Sequence, residues 1–375
     1  MWRIEGVDIY RVRMPLVSPF NTAFGNTTEI ESVFLRIYNG QDYGWGESAP
    51  WEFPCYSPES AAGVFVHLKK FLVPHILGKS YESAEQLQAE LSCFKGNSFA
   101  KAAIDLAWWD LQSKKMGQPL WKLIGGVNEV VEVGADFGAM ETIDDLLQEI
   151  GQAADNGYKR IKLKYRPGWE LDMVSSVRIA FPNTVFHVDC NSAYTLRDLE
   201  MFKELDQYDL AMIEQPLMHD DLVDHAQLQS ELTTPICLDE SITSPYKARQ
   251  AIEMGACKVI NIKPGRVGGI TPAIKIHDCC LANKIPCWIG GMLESALGAS
   301  FCVALASLPG IGYPNDIFPS KRFYDEDLSK PEIVLTGPSV ISLPQSTGVG
   351  AEPDTDLLEI NSIENFSVDL NYNFS

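Results

Sequence analysis

Between Ile161 and Gly265 the chain repeats one pattern: a short apolar run, a mixed polar segment, then another apolar run. The runs are Arg160-Ile-Lys-Leu-Lys164, Val185-Phe-His-Val-Asp189, Ala211-Met-Ile-Glu214, Pro235-Ile-Cys-Leu-Asp239 and Lys258-Val-Ile-Asn-Ile-Lys263. Their last residues, Lys164, Asp189, Glu214, Asp239 and Lys263, follow one another at intervals of 25, 25, 25 and 24 residues. Each mixed segment is long enough for one helix, so the repeat reads as strand, loop, helix, loop. Strands alternating with helices predict a parallel sheet. An ionisable residue at the same end of successive strands favours a closed barrel, whose chemistry sits at the C-terminal strand ends.

The pattern before the repeat is different. Trp2 to Arg13 alternates apolar and polar residues as a strand does, and Pro15 and Pro19 are expected to end it. Ser18 to Thr28 reads as a loop with Phe20 and Phe24 as its only large apolar groups. Glu31 to Tyr38 is a second strand, Asn39-Gly40 a hairpin turn, and Tyr43-Gly-Trp-Gly-Glu47 the returning third strand. Ala49 to Ser57, rich in proline and aromatics, is a second loop. Helices are expected from Ser57 to Leu72 with Pro58 at the first helical position, from Ser83 to Phe94, and from Ser98 to Met116, where Gly117 stops the last.

The pattern therefore predicts an α/β protein, with an α+β unit over residues 1–125 and a barrel over 126–315. Val130 to Phe137 is expected as barrel strand one, Pro286 to Ile289 as strand seven, and Gly310 to Tyr313 as a poor eighth. From about Asp316 the period is lost. Ser339 to Leu343 and Thr347-Gly-Val-Gly350 read as an extended tail, and residues 316–375 are expected to return to the N-terminal unit.

Composition narrows the function. A net charge of −20 argues against nucleic acid or an anionic membrane surface as partner. Nine cysteines, an odd number without a Cys-x-x-Cys pair, fit a reducing cytoplasm better than a disulfide framework. Met1 leads directly into a strand-like segment, so no signal peptide is expected. The longest apolar region, Trp288 to Tyr313, is too interrupted to span a bilayer. A homo-oligomer stays open.

Three carboxylates at neighbouring strand ends need a counter-charge, because two bare charges about 4 Å apart repel by roughly 4 kcal/mol at an effective dielectric near 20. Hard oxygen donors suit Mg²⁺, with Mn²⁺ as a substitute, so Asp189, Glu214 and Asp239 are the candidate metal ligands. Lys164 and Lys263 flank them in barrel order, and a poorly solvated lysine beside a divalent cation is expected to have a lowered pKa and to act as a base. The chemistry this implies is proton removal next to the carboxylate of a small-molecule substrate. Any one such acid alone reads equally well as a helix cap; the regular set does not.

At these residues the chain resembles the enolase superfamily, muconate-lactonising branch, and within it the o-succinylbenzoate synthase / N-acylamino acid racemase family. The resemblance lies in Lys162-Leu-Lys164 with Pro167-Gly-Trp169, Val188-Asp-Cys-Asn-Ser-Ala-Tyr-Thr-Leu196, Ile213-Glu-Gln-Pro-Leu217, Ile236-Cys-Leu-Asp-Glu-Ser241, Asn261-Ile-Lys-Pro-Gly-Arg-Val-Gly-Gly269 and Gly290-Gly-Met-Leu-Glu-Ser295. It implies a modified (β/α)7β barrel under a capping domain built from both chain ends. It also implies Lys164 and Lys263 as bases on opposite substrate faces, with Asp189, Glu214 and Asp239 on Mg²⁺. Lys162 is expected to point the other way along its strand and to support Lys164 electrostatically; Asn191 and Gln215 are expected to orient the ligands. Phe20, Phe24 and Tyr56 belong to loops expected to close over the substrate.

The family's activities are dehydration to o-succinylbenzoate in menaquinone biosynthesis, and racemisation of N-acylamino acids. The barrel motifs serve both. Arg266 occurs in racemising relatives and keeps the second open, although a salt bridge or helix cap explains it as well. Dipeptide epimerisation lacks its Asp-x-Asp pattern after strand seven, mandelate-type chemistry would want a histidine where Lys263 stands, and a catalytically dead scaffold would not keep all five residues. One departure stands out: Val133-Gly-Ala-Asp-Phe-Gly138 places Asp136 where the family has a small neutral residue. If Asp136 faces the substrate, it disfavours a second carboxylate there.

Overall fold

The computed structural model describes residues 1–22, 25–138 and 140–372. The expected Trp2–Arg13 strand is split: Trp2–Arg3 pairs with Ser80–Tyr81, and an antiparallel meander follows, β1 (Gly6–Thr22), β2 (Gly25–Asn39) and β3 (Asp42–Ser48). Gly40 takes a positive φ of 58° in the turn that closes Asn39 onto Asp42. Contrary to the sequence expectation of a loop over Ser18 to Thr28, residues 18–22 and 25–28 are strand. β1 runs through Pro15 and Pro19, its register with β2 shifts between Pro15 and Phe20, and pairing resumes at Phe20–Thr27. Proline is tolerated in a strand at such an irregularity, where a ladder donor is not needed.

The long helix α1 (Ser98–Met116) lies across this sheet. It has the predicted bounds and ends in Gly117 at φ 65°. Before it, the expected Ser57–Leu72 helix begins later, at Ala61, where Ser60 accepts from Gly63 N. It also runs further: a π-helical turn over Leu68–Leu72 leads straight into Val73–Ile76, with Pro74 in the first turn of that piece. Pro74 supplies no N–H there, and the backbone bonds on either side of it persist, Val73 N to Leu68 O and Leu77 N to Val73 O.

Seven parallel strands form the second sheet: β4 (Ala135–Phe137), β5 (Arg160–Lys164), β6 (Val185–Asp189), β7 (Ile213–Glu214), β8 (Ile236–Leu238), β9 (Val259–Ile262) and β10 (Cys287–Ile289), hydrogen-bonded in chain order. Nearly all their residues are buried, as expected of parallel strands covered by helices. Two boundaries differ from expectation. The Val130–Phe137 run is split, because Val130–Glu132 turns away to pair antiparallel with Val340–Ser342. Gly310 to Tyr313 forms no strand. Closure comes two residues later: Gly134 N donates to Asn315 O and Asp316 N donates to Ile289 O, so one short segment joins both edge strands.

The tail returns to the N-terminal sheet through β11 (Ser362–Asp369), which pairs antiparallel with β1. A second link is Glu47 on β3. It accepts from Ser295 N, Ser295 Oγ and Gly298 N, at the start of the helix Ala296–Ala306 that follows β10.

Candidate active site

Register places the site. In β5 to β7 the Cα partners are Lys164–Asp189 and Asp189–Glu214, so these three residues stand side by side on the inward face. Two residues on along β8 from inward Cys237, the partner of Glu214, comes Asp239; two on from inward Asn261 comes Lys263. Lys164 Nζ donates to Asp189 Oδ2 at 2.8 Å, and Lys263 Nζ to Asp239 Oδ2 at 2.9 Å. Asp189, Glu214 and Asp239 are 0–1% exposed, beneath a small cavity of about 40 Å³ lined by Lys162, Lys164, Lys263, Asp136, Asn191 and the rings of Phe20, Trp51 and Tyr56.

Lys162 corrects the sequence reading. Residues two apart in a strand share a face, and Lys162 lies inward directly below Lys164. Its Nζ is 3.0 Å from Asp189, 2.9 Å from Glu214 and 3.0 Å from Asp316. Among the described residues no three His, Cys, Asp or Glu side chains already close as a metal cage; ammonium groups stand between the acids. The donor set still suits a hard divalent ion. It is all carboxylate oxygen, and the neighbouring Glu240 Oε2 and Asn191 Oδ1 are buried without a hydrogen-bond partner.

The expected fall in lysine pKa belongs to a lysine beside a bound divalent ion; the protein groups around Lys263 by themselves act the other way. Burial opposes the charge of Lys263, but the Tyr56 phenol and the carboxylates of Glu214 and Glu240 outweigh it and raise its pKa. Lys162 is raised well above its usual value: burial again opposes, and Asp189, Asp316 and Glu214 dominate. Asp189 shows the converse. Burial would raise it, yet Lys162 and Lys164 hold it well below the carboxylate range. Glu240 is pushed up to about 7, by burial first and then by the charge of Asp189.

The remaining predicted residues fall around this row. Gln215 Oε1 accepts from Asp239 N and Ser241 N, clamping the end of β8. Asn191 N donates to Asp189 Oδ1. Arg266 is buried. It donates to Ile242 O, Asn261 O and the Tyr56 hydroxyl and pairs with Asp239 Oδ1, to which Tyr56 also donates at 2.9 Å. Tyr56 thus brings the N-terminal unit onto Asp239 itself. The Phe20 ring lies 5.8 Å from Lys164 Nζ and packs edge-on against Phe323. Phe24 lies outside the described residues.

Sequence reasoning missed a layer below the site. His187 Nε2 lies 3.1 Å from Glu214 Oε2, and Asn261 Nδ2 donates to Glu214 Oε1 at 2.9 Å, so both Glu214 oxygens are held from beneath. Asp316 pairs with Arg160 at 2.6 Å as well as with Lys162. The signal for His187 and Asn261 was present: each stands two residues before a strand-end residue and so shares its face.

Comparison with known proteins adds the family. Residues 4–125 match the model for the mandelate racemase / muconate lactonizing enzyme N-terminal domain, and residues 145–357 match that for an enolase C-terminal domain-like region. An o-succinylbenzoate synthase from Geobacillus kaustophilus is 41% identical over 357 residues, covering 95% of each chain. An N-succinylamino acid racemase from Thermus thermophilus is 40% identical over 348 residues, covering 93% of this chain and 94% of that one. The chain belongs to the o-succinylbenzoate synthase / N-acylamino acid racemase family of the enolase superfamily.

A crystal structure of an enolase-superfamily member from Listeria innocua superposes with a TM-score of 0.95 at 36% identity, over 99% of this chain and 100% of that one. Membership makes this chain an enzyme, and enolase-superfamily members use a divalent metal ion. Among the described residues no helix is long and apolar enough to cross a membrane.

Proposed function

We propose that this enzyme is an o-succinylbenzoate synthase, a lyase that dehydrates a 2-succinyl-6-hydroxycyclohexadiene carboxylate in menaquinone biosynthesis. The observation that carries the reading is the pair of amines, half-buried Lys164 and buried Lys263, at opposite ends of a row of three buried acids. Asp189, Glu214 and Asp239 would hold Mg²⁺, with Mn²⁺ as a substitute. When bound, the ion supplies positive charge for the substrate carboxylate and lowers the amines' preference for their ammonium form. Neutral Lys164 takes the proton α to the carboxylate, leaving an enediolate. The electron pair of the broken C–H bond becomes a ring double bond as the neighbouring C–O bond breaks, and the Lys164 ammonium returns its proton so that water leaves. Lys263 remains an ammonium beside the anion. Lys162, paired to Asp189, Glu214 and Asp316, keeps the acids ionised.

Racemisation of N-succinylamino acids is the second reading. It is supported by the similar identity of racemase relatives and by the near-symmetric placing of the two amines, one taking a proton and the other returning one to the opposite face. Residues 1–125 with 316–375 act in this scheme as a cap over the barrel of 126–315, with Phe20 and Tyr56 closing the cavity. Nine free thiols support a reducing cytoplasm as the setting.

The test is turnover of both substrates, with α-proton exchange followed in deuterated solvent. Lys164→Ala is expected to lose at least about 100-fold in both reactions, as is the wild type after chelation. Lys263→Ala is expected to abolish racemisation, and substantial racemase turnover by that variant would sink the two-base scheme.

A further inference from the structure

One buried acid on the cavity wall has a carboxylate oxygen with no hydrogen-bond partner among the described residues. Asp136 lies on β4, where its Cα pairs with that of inward-facing Lys162, so its side chain points into the barrel. It is 6% exposed and lines the same cavity as Lys164, Lys263, Phe20 and Trp51. Its Oδ1 makes no hydrogen bond, whereas its backbone carbonyl is taken by Arg322. Burial opposes its charge most and raises its pKa; Lys164 and Lys162 favour the charge through space without bonding it, and Asp316 and Asp189 oppose it. Asn191 Oδ1, on the same wall, is a second acceptor without a donor. A buried acceptor left unpaired is costly, and one aimed into a reaction cavity is completed by what enters it.

On the function proposed above, every candidate substrate turns its carboxylate toward the metal and lysines. Each also carries one non-acidic donor close to the reacting carbon: a hydroxyl on the next carbon in the dehydration substrate, or an amide N–H on the reacting carbon itself in an N-acylamino acid. We propose that Asp136 accepts this donor and is a specificity-determining residue of the site. It selects substrates with an O–H or N–H beside the reacting carbon, and rejects those presenting an acceptor or a second carboxylate there.

The test uses the magnesium-loaded full chain and a matched pair: an N-acylamino acid, and the O-acyl α-hydroxy acid in which an ester oxygen replaces the N–H without added bulk. α-Proton exchange is followed by NMR in deuterated solvent. Wild type is expected to prefer the amide by about 10- to 100-fold in kcat/KM beyond the ratio found for exchange in free solution. In Asp136→Ala that preference shrinks to within about threefold, mainly through loss on the amide. Asp136→Asn, which keeps an acceptor oxygen, falls between. In the dehydration arm Asp136→Ala loses roughly tenfold or more in kcat/KM.

An equal proportional loss on amide and ester would overturn the proposal and leave Asp136 an electrostatic neighbour of the lysines. Should Asp136→Ala fail to fold by circular dichroism, the Asn variant carries the same comparison. A wild type that neither exchanges the amide nor dehydrates defeats the function proposed above, and this assignment falls with it.

Discussion

Lys162 shows how a single side chain can be named correctly and placed wrongly. Arg160, Lys162 and Lys164 alternate along one strand, so all three share the inward face, and each meets an acid there: Asp316, then Asp189 with Glu214 and Asp316, then Asp189. Which acid each cation meets depends on neighbouring strands and on the closing segment, and no single run encodes that. Removing Lys162 leaves two strand-end acids and Asp316 short of a buried counter-charge. Lys162→Met is therefore expected to destabilise the metal-free protein by about 3–5 kcal/mol in urea unfolding, because breaking a buried pair leaves uncompensated charge. A change within about 0.5 kcal/mol would mean that the acids find other partners.

At the level of elements, legibility followed periodicity. The long helix Ser98–Met116 was read to the residue because its apolar spacing and its terminal glycine agree. Barrel strand one was misread because an apolar run does not say which strand it will pair with, and Val130–Glu132 pairs with the tail. The glycines of β3 are a further case. In sequence Gly44 and Gly46 look like weak points of a strand; in the structure they let α1 lie directly on the sheet. A Cβ at Gly46 would stand 2.2 Å from Ala103 O and 2.7 Å from Ala107 N, both backbone atoms. Gly46→Ala is expected to cost at least about 1–3 kcal/mol, seen as a lower thermal midpoint. An unchanged midpoint would show that the helix moves away freely.

On the scale of the whole molecule, the barrel and the N-terminal sheet are joined through a buried acid. Glu47 accepts from Ser32 as well as from Ser295 and Gly298, yet burial, partly offset by those hydrogen bonds, pushes its pKa up to about 7 from 4.5. A group whose folded pKa is raised gives stability that is fully present below its unfolded value and is lost as pH rises through the folded one. Its contribution should therefore fall by roughly 2–3 kcal/mol between pH 5 and pH 8. Glu47→Gln should flatten that part of the urea-midpoint profile, and a variant with the wild-type slope would assign the pH dependence elsewhere.

What the sequence determined alone was whatever repeats along one strand or one helix: the barrel period, the row of strand-end residues, the helix Ser98–Met116 and the family. Hydrophobic periodicity and turn chemistry are local, and a residue's neighbours in the chain suffice to express them. Tertiary structure alone decided that His187 and Asn261 both meet Glu214, the closure of the barrel at Asn315 and Asp316, the reach of Tyr56 to Asp239, and the exposure of Asp136 to the cavity. Each of these depends on strand register, barrel curvature or a contact between distant segments, and none of those quantities is a property of any single stretch of chain.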